Sequence, residues 1–288
     1  MTTESIDDVR VVGDVRVIGA STRSRRGPGA TTAAGPFWKI AAPFLAVVAL
    51  LAFWQLAVDL GAADPTLLPS PIRVVTSGWA EGEQLLAATG ATLQITLLGL
   101  LFAVVAATIV ASVLSFVAPL RLTILPLLIA AQSVPIIVLA PLFVIWFGFE
   151  SGPKIVLVGI VSMLTLTISI LHGMLSADPD AAALMRSMGA SRWRIFLSLR
   201  VPTALPSAIT GLRIMTSFIV VAAIFSEYVG ARVGLGIFMQ TQKNLYRTDL
   251  VFAAVAISIA IGLSLFLLTY PLEWLLLPWE RRRKAAAR

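Results

Sequence analysis

The chain has 288 residues, of which 58% are hydrophobic and only 13% charged, whereas a soluble domain carries about 25% charged residues. That balance excludes an ordinary soluble protein and a disordered one, and points to a polytopic membrane protein. The net charge of +7, from 22 Lys and Arg against 15 Asp and Glu, reads as a topology signal rather than a nucleic-acid surface, and the absence of cysteine excludes disulfides, thiolate metal sites and a cysteine nucleophile.

Residues 1–36 are polar and rich in Arg, Gly, Ser and Thr, and read as a disordered cytoplasmic tail. The valines between 9 and 17 leave open a strand formed against a partner. Six apolar runs follow, at roughly 37–60, 91–117, 122–147, 155–175, 205–229 and 251–277. They are long and lack period-2 alternation, so they are expected to be helices, since an open sheet cannot satisfy its backbone in lipid. The expected fold is therefore all-α, with a transmembrane domain over 37–280 and a basic tail at 281–288. With the N-terminus inside, 16 of the 22 basic residues fall on inner segments. Arg73, Lys154, Arg232, Lys243 and Arg247 fall on outer loops, and Arg213 lies within a span. The positive-inside rule then makes both ends cytoplasmic.

The third run is interrupted by Gln132 and by Pro126, Pro135 and Pro141. Proline removes a helix hydrogen bond, and broken backbone at membrane depth is tolerated where it faces protein or a water-filled cavity. Gln132, Pro135 and Pro141 are therefore candidates for a translocation path, with plain kinking for packing as the alternative. Arg213 and Glu227, ionisable groups in the fifth run, are candidates for a path or gate. Snorkelling of Arg213 and a headgroup or loop contact for Glu227 are the alternatives. His172, the single histidine, reads as a packed or interfacial residue, and Trp274 and Trp279 read as interfacial anchors. No nucleophile–base pair and no P-loop is visible. The chain is thus expected to be non-catalytic and to need no cofactor.

The segment 176–204 has too few apolar residues to span and too much helix signal for a linker. Asp178 reads as an N-cap with Pro179 at the first helical position. Ala181, Leu184, Met185 and Met188 share one face, and Gly189 is placed to end the helix in a left-handed turn. Ser191 can cap a second short helix with Trp193, Phe196 and Leu197 on one face, ended by Pro202 and Pro206. Such a unit is a docking element or, alternatively, an amphipathic loop on anionic lipid.

The stretch Asp180-Ala-Ala-Ala-Leu-Met-Arg-Ser-Met-Gly-Ala-Ser-Arg-Trp-Arg-Ile-Phe, continuing to Val201-Pro-Thr-Ala-Leu-Pro206, resembles the coupling loop of binding-protein-dependent (type I) ABC importer permeases. Leu68-Pro-Ser-Pro71, Gln132-Ser-Val-Pro-Ile, Ala140-Pro-Leu-Phe, Trp146-Phe-Gly148, Gly211-Leu-Arg213, Glu227 and Gly234-Leu-Gly236 are similar to further signatures of that family. The resemblance implies six transmembrane helices and a loop that docks on a separate ATPase through Asp180, Ala183, Met185, Arg186, Gly189, Ala190, Ser191, Arg192 and Trp193. Ala183 stands where that loop's namesake acid is expected. The resemblance also implies a second permease chain (a homodimer), an ATPase dimer, an extracytoplasmic binding protein, and a place in a bacterial plasma (inner) membrane. The strings are most similar to the nitrate, sulfonate and taurine group. Within it they most resemble permeases for a thiamine pyrimidine precursor or riboflavin. Sulfonate, taurine or nitrate carriage is the alternative, and a secondary transporter is the rival from another class.

Overall fold

The computed structural model describes residues 36–62 and 64–279. The tail over 1–35, with its valine-rich strand segment, and the basic stretch 281–288 lie outside the described residues. The chain divides after Ala49. The first unit contributes, among described residues, the start of helix α1 (Pro36–Asp59), and the second, Leu50–Arg288, holds the rest. The elements of the second unit are all helical: α2 (Pro71–Ala80), α3 (Gly82–Phe116), α4 (Ala118–Ala131), α5 (Ile136–Phe147), α6 (Ser151–Leu175), α7 (Pro179–Ser187), α8 (Arg192–Ile195), a π-helical turn (Phe196–Arg200), α9 (Val201–Thr216), α10 (Ile219–Tyr228), α11 (Leu235–Asn244) and α12 (Thr248–Leu276).

Among the described residues, α3, α6, the rod from Arg192 to Tyr228, and α12 are each long and apolar enough to cross a membrane. The third expected span is a helix pair, α4 and α5, bent by 101°. Of its three prolines only Pro135 stands at the break, as the cap of α5, whereas Pro126 and Pro141 lie inside helices. The first expected span is a single helix of 24 residues, Pro36–Asp59. The rod of 37 residues is ~55 Å long at 1.5 Å per residue, against a hydrocarbon core of ~30 Å. One end of it must therefore project.

In lipid there is little hydrophobic drive between helices, so small residues that allow close approach hold the bundle together. A Cβ on Gly99 would come within 2.8 Å of Val158, and one on Gly159 within 2.3 Å of the Phe102 ring, so α3 and α6 are in close contact. Gly173 faces Ala204 and Ser207, and Gly211 faces Ser169, which seats α9 equally close against α6. Ala103, Ala107, Ala111, Leu166, Met174 and Met215 form the core of this three-helix contact. A second core, of Ile219, Ala223, Leu235, Leu250 and Ala254, joins α10, α11 and α12 at the opposite end.

Two expectations change. The helix after Ser191 is not a separate short helix, because Arg192–Ile195, the π turn and α9 run on without a break. Pro202 and Pro206 do not end it. Pro202 lies in the first turn of α9 and Pro206 inside it. Proline has no N–H for the carbonyl one turn back, and the wider turn just before Pro202, closed by the Val201 N–H to the Phe196 carbonyl, absorbs the mismatch. Lys154, expected on an outer loop, is buried in the first turn of α6.

Candidate functional site

The helix–glycine–helix unit forms by local chemistry. The Asp178 carboxylate accepts the Asp180 N–H at 2.8 Å, with Pro179 following the cap. At the other end Gly189 adopts φ +83°. Its N–H reaches the Arg186 carbonyl at 2.9 Å and the Ala190 N–H reaches the Met185 carbonyl at 2.9 Å, the paired bonds of a Schellman ending. The Ser191 hydroxyl then accepts the Arg194 N–H at 3.2 Å and starts α8.

Long-range contacts hold this unit in place. Trp193 stacks on Phe196 (ring centroids 5.3 Å apart) and on Phe116 at the end of α3 (6.0 Å). The Arg200 guanidinium donates to the Ser115 carbonyl at 2.7 Å. Ile195 and Phe196 face inward, while Leu184, Met188, Trp193 and Leu197 are exposed. The expected shared face of Trp193, Phe196 and Leu197 is thus divided, because the ring cluster draws in Phe196 and leaves Leu197 outside. Asp180, Ala183, Arg186, Gly189, Ser191 and Arg192 are exposed, and Met185 and Ala190 are half-buried. The element presents Leu184, Met188 and Trp193 as an apolar patch amid arginines.

The other candidates fall in three places. Gln132 and Pro135 lie exposed at the α4–α5 break, and Pro141 is half-buried in α5. Arg213 pairs with Glu273 of α12 at 2.6 Å, donates to the Thr269 hydroxyl at 3.0 Å, and lies 4.2 Å over the Tyr270 ring. Glu227 is fully buried at the far end of the rod. Its carboxylate accepts the Thr92 hydroxyl at 2.8 Å and the Gly236 N–H at 2.8 Å, and the Thr92 oxygen in turn accepts the Leu235 N–H at 2.8 Å. Gly234 and Gly236 are required there, since a Cβ on either would sit within 3 Å of Glu227. Arg213 thus lies near the middle of the rod and Glu227 at its far end, each held by a partner from another helix. His172 and Trp274 are exposed on the end of the bundle that carries α7.

Sequence reasoning missed Thr92, Lys154, Ser115 and Glu273. Lys154 donates to the carbonyls of Phe149, Glu150 and Gly230, and so joins the α5–α6 and α10–α11 turns. An acid within the sixth apolar run, Glu273, and a base at the edge of the fourth, Lys154, were the available signal for two of these residues. The hydroxyl of Thr92 and the carbonyl of Ser115 carried none. No group of metal-ligating side chains occurs among the described residues.

A bundle of apolar helices with a capped helix–glycine–helix unit at one end and a bent helix pair is the architecture of a membrane permease subunit. Residues 96–276 match the family of binding-protein-dependent transport system inner membrane components, and the chain belongs to that family. It is a multi-pass inner-membrane permease subunit of an ABC importer. It is 32% identical to a formylaminopyrimidine transport permease protein of Halalkalibacterium halodurans, over 84% of this chain and 96% of that protein. It is 31% identical to a riboflavin transport system permease protein of Chloroflexus aurantiacus, over 80% of this chain and 87% of that one. Among solved structures, an inward-facing methionine ABC transporter superposes with a TM-score of 0.62 at 17% identity, over 68% of this chain and 98% of that chain. That likeness extends to the fold alone. The family implies an ABC ATPase and a substrate-binding protein as partners.

Proposed function

We propose that this chain forms half of the membrane passage of an ATP-driven importer and works by alternating access, paired with a second copy of itself and coupled to an ATPase dimer through residues 176–204. The observation that carries this reading is the α7–Gly189–α8 unit. It has an exposed apolar patch of Leu184, Met188 and Trp193, yet it is joined through Phe116, Phe196 and Arg200 to the long helices α3 and α9. A patch on a rigid lever can pass a partner's motion into the bundle, whereas a patch on a loose loop cannot. Asp180, Ala183, Met185, Arg186, Gly189, Ala190, Ser191, Arg192 and Trp193 make the ATPase contact. Each state of the cycle must be favoured by differential contacts with nucleotide-bound and free ATPase. Both termini and this unit lie on the cytoplasmic side, and a binding protein delivers solute to the other.

Gln132, Pro135 and Pro141 contribute the bent wall of the passage. Arg213 and Glu227 serve its gates from behind, by holding α12 against α9 and α11 against α3. The chain performs no bond chemistry. The cargo is a small organic solute such as a thiamine pyrimidine precursor or riboflavin, with sulfonates, taurine and nitrate as the alternative group.

Co-purification from membranes, followed by a thermal-shift screen of the recovered binding protein, tests this. A ligand stabilises what it binds by RT ln(1 + [L]/Kd). A shift with a pyrimidine or flavin supports the vitamin-precursor reading. A shift only with sulfonates or nitrate keeps the importer and discards that cargo. Failure to recover any ATPase with the chain overturns the coupling role.

A further inference from the structure

The grooves along this bundle differ in chemistry. One of about 680 Å³, between α2, α3 and α12, is lined by Val, Leu, Ala and Ile side chains with Trp79 and Glu83 at its edge. Another of about 460 Å³, between α10 and α12, is apolar apart from Ser217 and Ser258. A groove of about 390 Å³ between α6 and α9 is different. It is lined by Ile168, Ser169, His172, Pro206, Ser207 and Thr210, four of them polar.

Its position is set by the close approach of α6 and α9. Gly173 lies against Ala204 and Ser207, and Gly211 lies against Ser169. Rotation of either helix would bring a side chain into the place a glycine now occupies, so the polar side chains on either side of the seam stay at its surface. Ser169 and Thr210 return their hydroxyls to their own helices, to the carbonyls of Thr165 and Pro206. His172 is exposed and Ser207 half-buried, and no hydrogen bond joins the side chain of either to another described residue. An imidazole and a hydroxyl facing lipid would be left without partners, which costs free energy. The same groups facing water or a polar solute lose nothing. No Asp, Glu, Lys or Arg lines the groove. The nearby Arg213 is turned to α12 and neutralised by Glu273. An anion crossing here would leave its hydration shell with no fixed cation to meet it.

We propose that this α6–α9 groove is the hydrogen-bonding wall of the solute passage, and that it passes an uncharged, hydrogen-bonding solute rather than an anion. The proposal rests on the permease reading above. It moves the solute contact from the bent third span to the seam of the fourth and fifth.

The chain has no native cysteine, so single cysteines can be introduced without background. In membranes carrying the full chain, opened so that both faces are accessible, Ser207→Cys and Thr210→Cys should react with a charged, membrane-impermeant methanethiosulfonate. Ile259→Cys, in the α10–α12 groove, should not. Reagent reaching Ile259→Cys but neither seam position overturns the water-filled groove. In the complex reassembled with its ATPase and binding protein, His172→Gln with Ser207→Ala should slow solute uptake by about three- to tenfold, the effect of one lost neutral hydrogen bond. Binding-protein-stimulated ATP hydrolysis should persist. Equal losses of uptake and hydrolysis would make the pair merely structural and overturn the proposal. A binding protein that takes only sulfonate or nitrate overturns the uncharged class. Labelling of Ser207→Cys together with no ATP-driven uptake by the unaltered complex would instead sink the permease cycle and leave the groove standing.

Discussion

The Glu227 carboxylate and the Thr92 hydroxyl meet at 2.8 Å across 135 residues of sequence, at a point with no solvent exposure. Thr92 has one hydroxyl proton, and its oxygen is already an acceptor for the Leu235 N–H. The proton goes to the nearer and charged acceptor, Glu227, rather than to the Ala88 carbonyl at 3.2 Å, and the other carboxylate oxygen takes the Gly236 N–H. Three helices, α3, α10 and α11, thus share one buried hydrogen-bonded junction.

Removing the acceptor should be costly. Glu227→Ala leaves the Gly236 N–H unpaired in a buried site, at about 1–3 kcal/mol, and turns the Thr92 hydroxyl to the Ala88 carbonyl at 3.2 Å. Glu227→Gln keeps one carbonyl oxygen and should lose less. Thermal unfolding of the detergent-solubilised protein should rank the melting temperatures as wild type, Gln, Ala. An unchanged midpoint for Glu227→Ala would contradict the junction.

The same junction is sensitive to volume. A Cβ on Gly236 would stand 2.4 Å from the Ile224 carbonyl oxygen and 2.8 Å from the Glu227 Cβ. Gly236→Ala should therefore destabilise by about 1–3 kcal/mol, the usual range for overpacking. Gly90 of α3 has nothing within 4 Å of such an atom. Gly90→Ala should be neutral or stabilising by up to ~1 kcal/mol through helix propensity. Equal effects at the two sites would refute the packing account.

Near the middle of the rod, Arg213 combines a 2.6 Å ion pair with Glu273, a bond to Thr269 and stacking over Tyr270. A lysine keeps the charge but loses the planar fork and the stacking. A double-mutant cycle of Arg213→Lys with Glu273→Gln should give a coupling of about 0.6–1.7 kcal/mol, the range for interhelical polar contacts in membranes. Additive losses would mean that the two residues act independently.

Gly189 has open space where its Cβ would be, but its φ is +83°. A side chain there meets the left-handed penalty of about 1–2 kcal/mol and no steric wall within this chain. Gly189→Trp should therefore still fold, while its bulk obstructs the ATPase-facing turn and uncouples ATP hydrolysis from transport. Normal solute-stimulated hydrolysis with normal uptake in this variant would rule out the docking role of the turn.

The class of protein, the helical nature of each apolar run and the α7–Gly189–α8 unit were all readable from the residues in order. Hydropathy over twenty residues, a capping Asp followed by Pro, a glycine directly after the last apolar position and a capping Ser all act within a few residues, and the backbone has few other ways to satisfy them. The partners of the ionisable residues were not readable in this way. Glu227 and Arg213 stand out as unusual in an apolar run, but a helix apolar on every side does not disclose which side faces protein. Its rotation is set by where glycines and alanines let a neighbour approach. The contacts of Gly159 with Phe102 and of Gly173 with Ser207 turn α3, α6 and α9 to one mutual angle. That angle decides that Glu227 meets Thr92, that Arg213 meets Glu273, that Lys154 is buried, and that Ser207 and His172 line a groove. Local chemistry thus determined the elements, and the packing of small side chains, which acts only between helices distant in sequence, decided which polar groups meet.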